Sequence, residues 1–369
     1  MAARPSTQPA APRSASSGTA RTRPAVRDFA GGSTFTLEWD VRPVFDFMFS
    51  LSTEAGSTDD LPADDRRWLT DAKASLPADI RAEIKAFNET EMAIHVASFA
   101  VERQDLRSVD DLLGAIEAAS TQDLLLAMLG DFEIGSAMDI FARAAIDGDR
   151  DALEQLVASN RDHGKGLRSL LEDPESTRRR LQSVLTAWAV PFRTIEARVA
   201  SIGERDYAGR AEDRATMDSL DLIEKTTGGV RWLPAAGIRR VILGPSYFSR
   251  PYNFLLGGEG WRFFGYPVSD DALDVADPLA PPPSVVRLHR ALGDPTRMRI
   301  LKLLAGRDLY ATEIAQQLEL SKPTIKHHLA LLRAAGLVTI TESGAVVYYS
   351  LRRDRLDDAS VELKRFLGA

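Results

Sequence analysis

The stretch "SKPTIKHHLALLRAAGLV", residues 321–338, decides how this chain is read. Ile325, Leu329 and Leu332 recur at i, i+4 and i+7, one face of an α-helix. Ser321 is a favoured N-cap, and Pro323 is tolerated in the first turn, so the helix begins there. At about 100° per residue, His327 points away from the apolar stripe, with Thr324 and Lys326 beside it. The whole chain carries a formal net charge of −7, yet Lys326, His327 and His328 stand together here. Metal ligation, contact with an anion and an ordinary solvated face all fit that cluster taken alone.

The flanking sequence separates them. Upstream, "TEIAQQLEL" is a helix with Ile314, Ala315 and Leu318 inward, three residues before the next helix. "DPTRMRILKLLA" has Asp294 as N-cap, Pro295 at the first helical position and Gly306 at its end. "SVVRLHRAL" is a short amphipathic helix ending at Gly293. Downstream, "AAGLVTI", a turn at Glu342-Ser343-Gly344 and "AVVYYSL" make a β-hairpin. Two helices on a three-residue link, followed at once by a hairpin, form a winged helix-turn-helix, whose second helix lies in the DNA major groove. The cationic cluster then faces phosphates and base edges. From Ser284 onward there are 14 Lys+Arg against 9 Asp+Glu, a balance of +5; the remainder has 32 against 44, or −12. A basic module on an acidic body suits contact of one part with a polyanion.

Three runs, "LGDPTRMRILKLL", "IAQQLELSKPTIKHHLALLRAAGLV" and "GAVVYYSL", resemble in order and spacing the arsenical-repressor (ArsR) family of bacterial transcription regulators. The resemblance covers about residues 284–367. It implies a DNA-reading helix over 321–335 and a wing over 337–351. The implied DNA contacts are Ser321, Lys322, Pro323, Thr324, Lys326, His327, His328, Arg333, Ser343 and Tyr348. It also implies a homodimeric repressor that releases operator DNA on binding an effector. The two-fold interface would use the last helix, with Leu356, Ala359, Leu363 and Phe366 at roughly helical spacing, and Leu288 and Leu292 of the 285–292 helix. The sequence departs from the family's metal sensors. "DLYATEIA" holds Tyr310 and no Cys-x-Cys, and "RLDDASVELKRFLGA" holds no histidine. The effector expected is therefore unknown and not a thiolate-bound metal, acting at the residues before the module.

Those residues read as an α-rich α+β domain, so the fold class is mostly α with small antiparallel β elements. At 369 residues the chain has room for two or three cores. Residues 1–32, rich in Ala, Pro, Ser, Thr and Arg, read as a disordered tail. Residues 33–268 read as one regulatory domain. "TFTLEWDV" alternates Phe35, Leu37, Trp39 and Val41 as a strand, and Pro43 opens a short helix, "VFDFMFSL". Residues 63–224 show helical periodicity, with breaks at Gly148, Gly164 and Asp173-Pro174. Residues 229–268 are aromatic and β-branched. They predict a small antiparallel sheet with a hairpin turning at Gly257-Gly258-Glu259-Gly260, joined by the 34–41 strand. "SDDALDVADPLAPPPS" predicts a linker over 269–283, before a winged helix-turn-helix over 284–369.

Other chemistry finds little support. Zero cysteines exclude disulfides and thiolate sites, and there is no 18-residue apolar run for a membrane span. A secretory signal is lacking, so the expected compartment is the cytoplasm. No cofactor, metal or catalytic set is expected. Adjacent helical residues diverge, which disfavours His327 and His328 as a zinc pair. "GGEG" at 257–260 joins two strands and lacks the helix N-terminus of a phosphate loop. Asp59-Asp60 and Asp270-Asp271 read as solvated pairs. The aromatic residues Tyr247, Phe248, Tyr252, Phe254, Trp261, Phe263 and Phe264 read as core, and a ligand pocket is expected near Trp232, Trp261 and Tyr266. The expected function is a DNA-binding regulator and not an enzyme; the alternative is an enzyme or protein-interaction domain at 34–268 carrying a winged helix.

Overall fold

Several helix starts in this chain are marked by side chains that accept from otherwise unpaired backbone N–H groups. Ser108, Ser136, Asp149, Asp173, Asp218, Asp294 and Ser321 each do so. The computed structural model describes residues 35–52, 58–90, 93–129, 136–160, 163–235, 237–273, 279–343 and 346–368. The expected 1–32 tail and the middle of the expected 269–283 linker lie outside the described residues.

Strand β1 (Thr36–Trp39) leads into α1 (Val44–Phe49). A helical stretch follows: α2 (Ala63–Ser75), α3 (Ala78–Asn88), α4 (Ser98–Val101), α5 (Val109–Ala118), α6 (Thr121–Leu129) and α7 (Ala137–Ile146). It continues through α8 (Arg150–Ser159), α9 (Gly164–Leu171), α10 (Pro174–Phe192), α11 (Glu196–Gly209), α12 (Ala211–Thr216) and α13 (Ser219–Thr226). The expected breaks fall between elements: Gly148 joins α7 to α8 with φ +97°, Gly164 opens α9, and Asp173 caps α10 with Pro174 at N1. The apolar faces of α1 to α11 converge on one core, while α12 buries none of its residues and α13 places Ile223 in another. Trp188 of α10 lies fully buried in the first of these cores, and its indole N–H donates to Ser50 Oγ at 2.9 Å. Among the described residues no single helix is long and apolar enough to cross a membrane.

Short β2 (Val230–Arg231) comes next, then β3 (Arg240–Ser246), β4 (Phe254–Gly258) and β5 (Trp261–Pro267). The first sheet has the order β1-β3-β5-β4. The expected hairpin is present: β4 and β5 pair antiparallel from Phe254↔Gly265 to Gly258↔Trp261, across a turn with Gly260 at φ +75°. The rest of the sheet is parallel, which corrects the expectation of an antiparallel sheet. β1 joins β3 with Thr36 opposite Arg240, and β3 joins β5 with Arg240 opposite Trp261. The whole helical stretch lies between β1 and β3, so the chain crosses over and returns in the same direction. Gly244 of β3 lies against the ring of Phe263 on the neighbouring strand. A Cβ there would meet the ring at 2.3 Å.

The C-terminal elements are α14 (Pro283–Leu292), α15 (Pro295–Leu304), β6 (Leu309–Tyr310), α16 (Ala311–Leu318), α17 (Lys322–Ala334), β7 (Val338–Ser343), β8 (Val346–Leu351) and α18 (Arg353–Leu367). Their order and spacing are those of a winged helix, with a core of its own that includes Leu288, Ile300, Ile314, Ile325, Leu329 and Leu332. The second sheet, β2-β7-β8-β6, is a departure from the sequence reading. "GVRWL" was expected in the 229–268 sheet, yet β2 pairs in parallel with wing strand β7, Val230 opposite Ile340. Ile340 is buried with Ile223, Val230, Trp232, Val241, Leu243, Phe264 and Tyr266, so the wing shares a core with the first sheet. Residues from Ser33 to Ala369 accordingly form one compact unit.

Candidate nucleic-acid interface

Glu319, Leu320 and Ser321 link α16 to α17. Glu319 takes the left-handed conformation, φ 55°, its N–H donating to Gln316 O at 3.4 Å and that of Leu320 to Ala315 O at 3.0 Å. This is the cap usually built on glycine, and placing a Cβ there costs roughly 1 kcal/mol. Ser321 Oγ then accepts from Thr324 N at 3.2 Å to start α17. Ile325, Leu329 and Leu332 are buried, as their spacing predicts. Lys326 and His327 lie around the other side of α17, and Ser321, Lys322, Pro323 and Thr324 form its cap and first turn; all six are exposed. Gly336, at φ +72°, ends the helix; its N–H reaches Arg333 O at 2.8 Å and that of Leu337 reaches Leu332 O at 3.0 Å, turning the chain into β7.

Several expected contacts sit elsewhere. His328 is turned about 100° from His327 and is half-buried, its Nδ1 4.0 Å from Asp294 Oδ1. Burial lowers its pKa, and the Asp294 charge opposes that shift. Asp294 is itself the cap of α15, accepting from Arg297 N at 2.8 Å. His328 therefore packs within the module instead of joining the outward face. Arg333 is also half-buried, near enough to Tyr252 and Tyr349 for its charge to oppose the rise that burial gives both phenols. Tyr348, half-buried, has its hydroxyl hydrogen-bonded to that of Tyr310. The side chain of Ser343 lies outside the described residues. Among the described residues no group of three His, Asp or Glu gathers as metal ligands would.

The residues expected at a dimer interface divide similarly. Leu288 is fully buried and Ala359 nearly so, inside the protomer's own core, because α14 packs against α18. Neither offers surface to a partner. Leu292 and Leu363 are half-buried, while Leu356 and Phe366 are exposed, together with Val361 and Leu367.

The acidic pairs need the largest revision. Asp59 is exposed, as expected, but Asp60 is 3 % exposed. Its carboxylate pairs with Arg287 of α14 and lies 3.2 Å from Nε of Arg250, which is 2 % exposed. Arg250 also pairs with Asp270, which accepts from Ser284 N at 2.9 Å and so anchors the first turn of α14. Arg287 donates at the same time to Ala334 O at the end of α17, 3.1 Å. A chain of charges thus runs from Asp60, through Arg287, to the end of the helix that reads as DNA-facing, with buried Arg250 tying Asp60 to Asp270 beside it. Two backbone groups near β2 add to it: Gly229 O accepts from Ile340 N at 3.0 Å, and Gly228 O accepts from Arg352 at 2.9 Å. Single carboxylates in a sequence are usually solvated, and no spacing signals a partner 190 or 227 positions away.

The pocket expected beside Trp232, Trp261 and Tyr266 is not where the open space lies. These three are packed in the cores at 7, 4 and 0 % exposure. A cleft of about 1010 Å³ opens instead between α2, α14 and the C-terminal half of α17.

Residues 294–339 match the model of the bacterial regulatory protein, arsR family. The transcriptional repressor SdpR of Bacillus subtilis is 43% identical over 81 residues, 22% of this chain and 90% of that protein. The HTH-type transcriptional regulator CmtR of Mycobacterium tuberculosis is 41% identical over 80 residues, covering 22% of this chain and 68% of CmtR. Among solved structures, HlyU from Vibrio cholerae N16961 aligns with 23% of this chain and 94% of its own at 30% identity, with a TM-score of 0.19. All of these likenesses leave the residues before the module unmatched in length, but the module is matched nearly end to end. The chain belongs to the arsR family of bacterial regulatory proteins, through the winged helix at its C-terminal end.

Proposed function

We propose that the chain is a sequence-specific DNA-binding transcription regulator, a repressor that responds to an effector through residues 33–268. The observation that carries this is the exposed face of α17, with Lys326 and His327 turned away from the helix's buried stripe and Lys322 exposed in its first turn. Family membership and the relatives named as a transcriptional repressor and a transcriptional regulator support it. Ser321, Lys322, Thr324 and Lys326 act on phosphates in this reading, and His327 reads a base edge. In a fluorescence titration over a range of salt, Lys326→Ala should weaken binding to all duplexes alike and reduce the salt slope by roughly one unit. An unchanged slope would remove Lys326 from the interface.

The working form proposed is a homodimer. The exposed apolar residues Leu356, Phe366 and Leu367 on α18, with half-buried Leu363 between them, form the surface that supports it. A two-fold dimer presents two copies of α17 to two half-sites. Leu363→Asp should leave a monomer that binds operator DNA weakly, read by sedimentation at micromolar protein. A wild-type chain already monomeric under those conditions would contradict the dimer.

A further inference from the structure

We infer that the cleft between α2, α14 and α17 binds a small organic anion with an apolar body, and that this is the effector site. The inference rests on the reading of the chain as an effector-responsive regulator and gives that reading a place and a ligand chemistry. The cleft, about 1010 Å³, is large enough for a drug-sized molecule, since ligand pockets run to about 300–1,000 Å³. Its walls come from two sides. Leu61, Pro251, Tyr252 and Leu273 belong to the part before the module, while Val286 and Leu331 belong to α14 and α17. This apolar lining fits a ring or chain rather than a bare ion.

The charge of the cleft selects the head group. Arg66, Arg198, Arg287, Arg290 and Arg297 line it, with Asp59, Asp60 and Asp64. Arg198 pairs with Asp65, Arg287 with Asp60 and Arg297 with Asp294, so Arg66 and Arg290 are the cations placed to meet a ligand. Asp60 is already committed to Arg287 and Arg250. Asp59 and Arg290 instead form an exposed pair at 3.4 Å, with both side chains more than 70 % exposed. A pair of that kind is weak, so an incoming carboxylate or sulfonate can take the place of Asp59 on Arg290. Arg66 of α2, which donates to Asp59 O at 3.3 Å, stands beside it. An apolar body seated between Val286 and Tyr252 would then touch Leu331 and Ala334, on the inner side of the helix proposed to read DNA. Any difference in fit between the DNA-bound and free positions of α17 becomes a difference in ligand affinity, which is the requirement for an effector.

The test uses the full chain and two dyes of nearly the same shape. 1-Anilinonaphthalene-8-sulfonate carries a negative head, and N-phenyl-1-naphthylamine lacks it. The sulfonate should bind saturably, one per chain, and about tenfold tighter than the neutral dye. Arg290→Gln should weaken the sulfonate by about fivefold, and Asp59→Asn, which removes the competing carboxylate, should tighten it by about twofold, with far-ultraviolet circular dichroism unchanged. Equal affinity for the two dyes, or a sulfonate titration indifferent to both substitutions, overturns the inference. DNA binding by the same preparations without dye is read separately. Its failure would sink the regulator reading while leaving the cleft result interpretable.

Discussion

Asp60→Asn should lower the stability of the protein by about 3–5 kcal/mol, the usual consequence of removing one member of a buried charge set. Asparagine keeps the shape and removes the charge, leaving Arg287 without its carboxylate and Arg250 with Asp270 alone. Arg250, at 2 % exposure, cannot recover hydration by turning outward. The neighbour is the control. Asp59 is largely exposed and its pairing with Arg290 is solvated, so Asp59→Asn should change stability by less than about 0.5 kcal/mol. Denaturant unfolding of both variants gives the comparison. Equal midpoints for the two would mean that burial of Asp60 has no energetic consequence and that the junction is held by other contacts.

Ile340→Ala should cost about 2–5 kcal/mol, although Ile340 lies in a wing, a part of such folds usually left to solvent. Here its side chain is 3 % exposed, packed with Val230, Trp232, Leu243 and Phe264 from the first sheet and its surroundings. Truncation removes three methyl or methylene groups and leaves a cavity that rigid aromatic neighbours fill poorly. The exposed Ile140, 56 % accessible on α7, provides the reference, and its change to alanine should be nearly neutral. A loss at Ile340 no larger than at Ile140 would mean that wing and first sheet part readily. The same packing bears on cutting the chain near Pro282. The module keeps its own core, but Ile340 and the β7 edge would both be uncovered. The fragment should bind DNA with a lower melting temperature than the full chain.

The winged helix was legible because its signals are local. Caps at Asp294 and Ser321, a period of three and four in 325–332, and a hairpin after a glycine are each set by neighbours within a few positions. The same holds for β1, the β4–β5 hairpin and the breaks at Gly148 and Asp173-Pro174. What escaped was long-range. Strand β2 is two residues long, too short for alternation to say which sheet it joins, and its partner lies 110 positions away. Parallel pairing of β1 with β3 depends on the path of the intervening helices, which periodicity does not encode. On α17, spacing placed Lys326 and His327 outward, but it could not show that His328, at the stripe's edge, lies half-buried 4.0 Å from Asp294, the cap of α15. Leu288 and Ala359 looked available for a partner because the packing of α14 on α18 within one protomer has no local signature.

Selection of binding sites from a random-sequence duplex library, run side by side with the wild-type chain and the double variant Lys326→Ala/His327→Ala, tests the central claim most directly. Both side chains are exposed, so the double variant should melt with the wild type. The account predicts that the wild-type chain enriches a common sequence, with about 1–3 kcal/mol of discrimination at the base read by His327, and that the double variant enriches none or a relaxed one. Enrichment of the same sequence to the same degree by both, or no enrichment by the wild-type chain, would contradict the assignment of DNA reading to the outward face of α17.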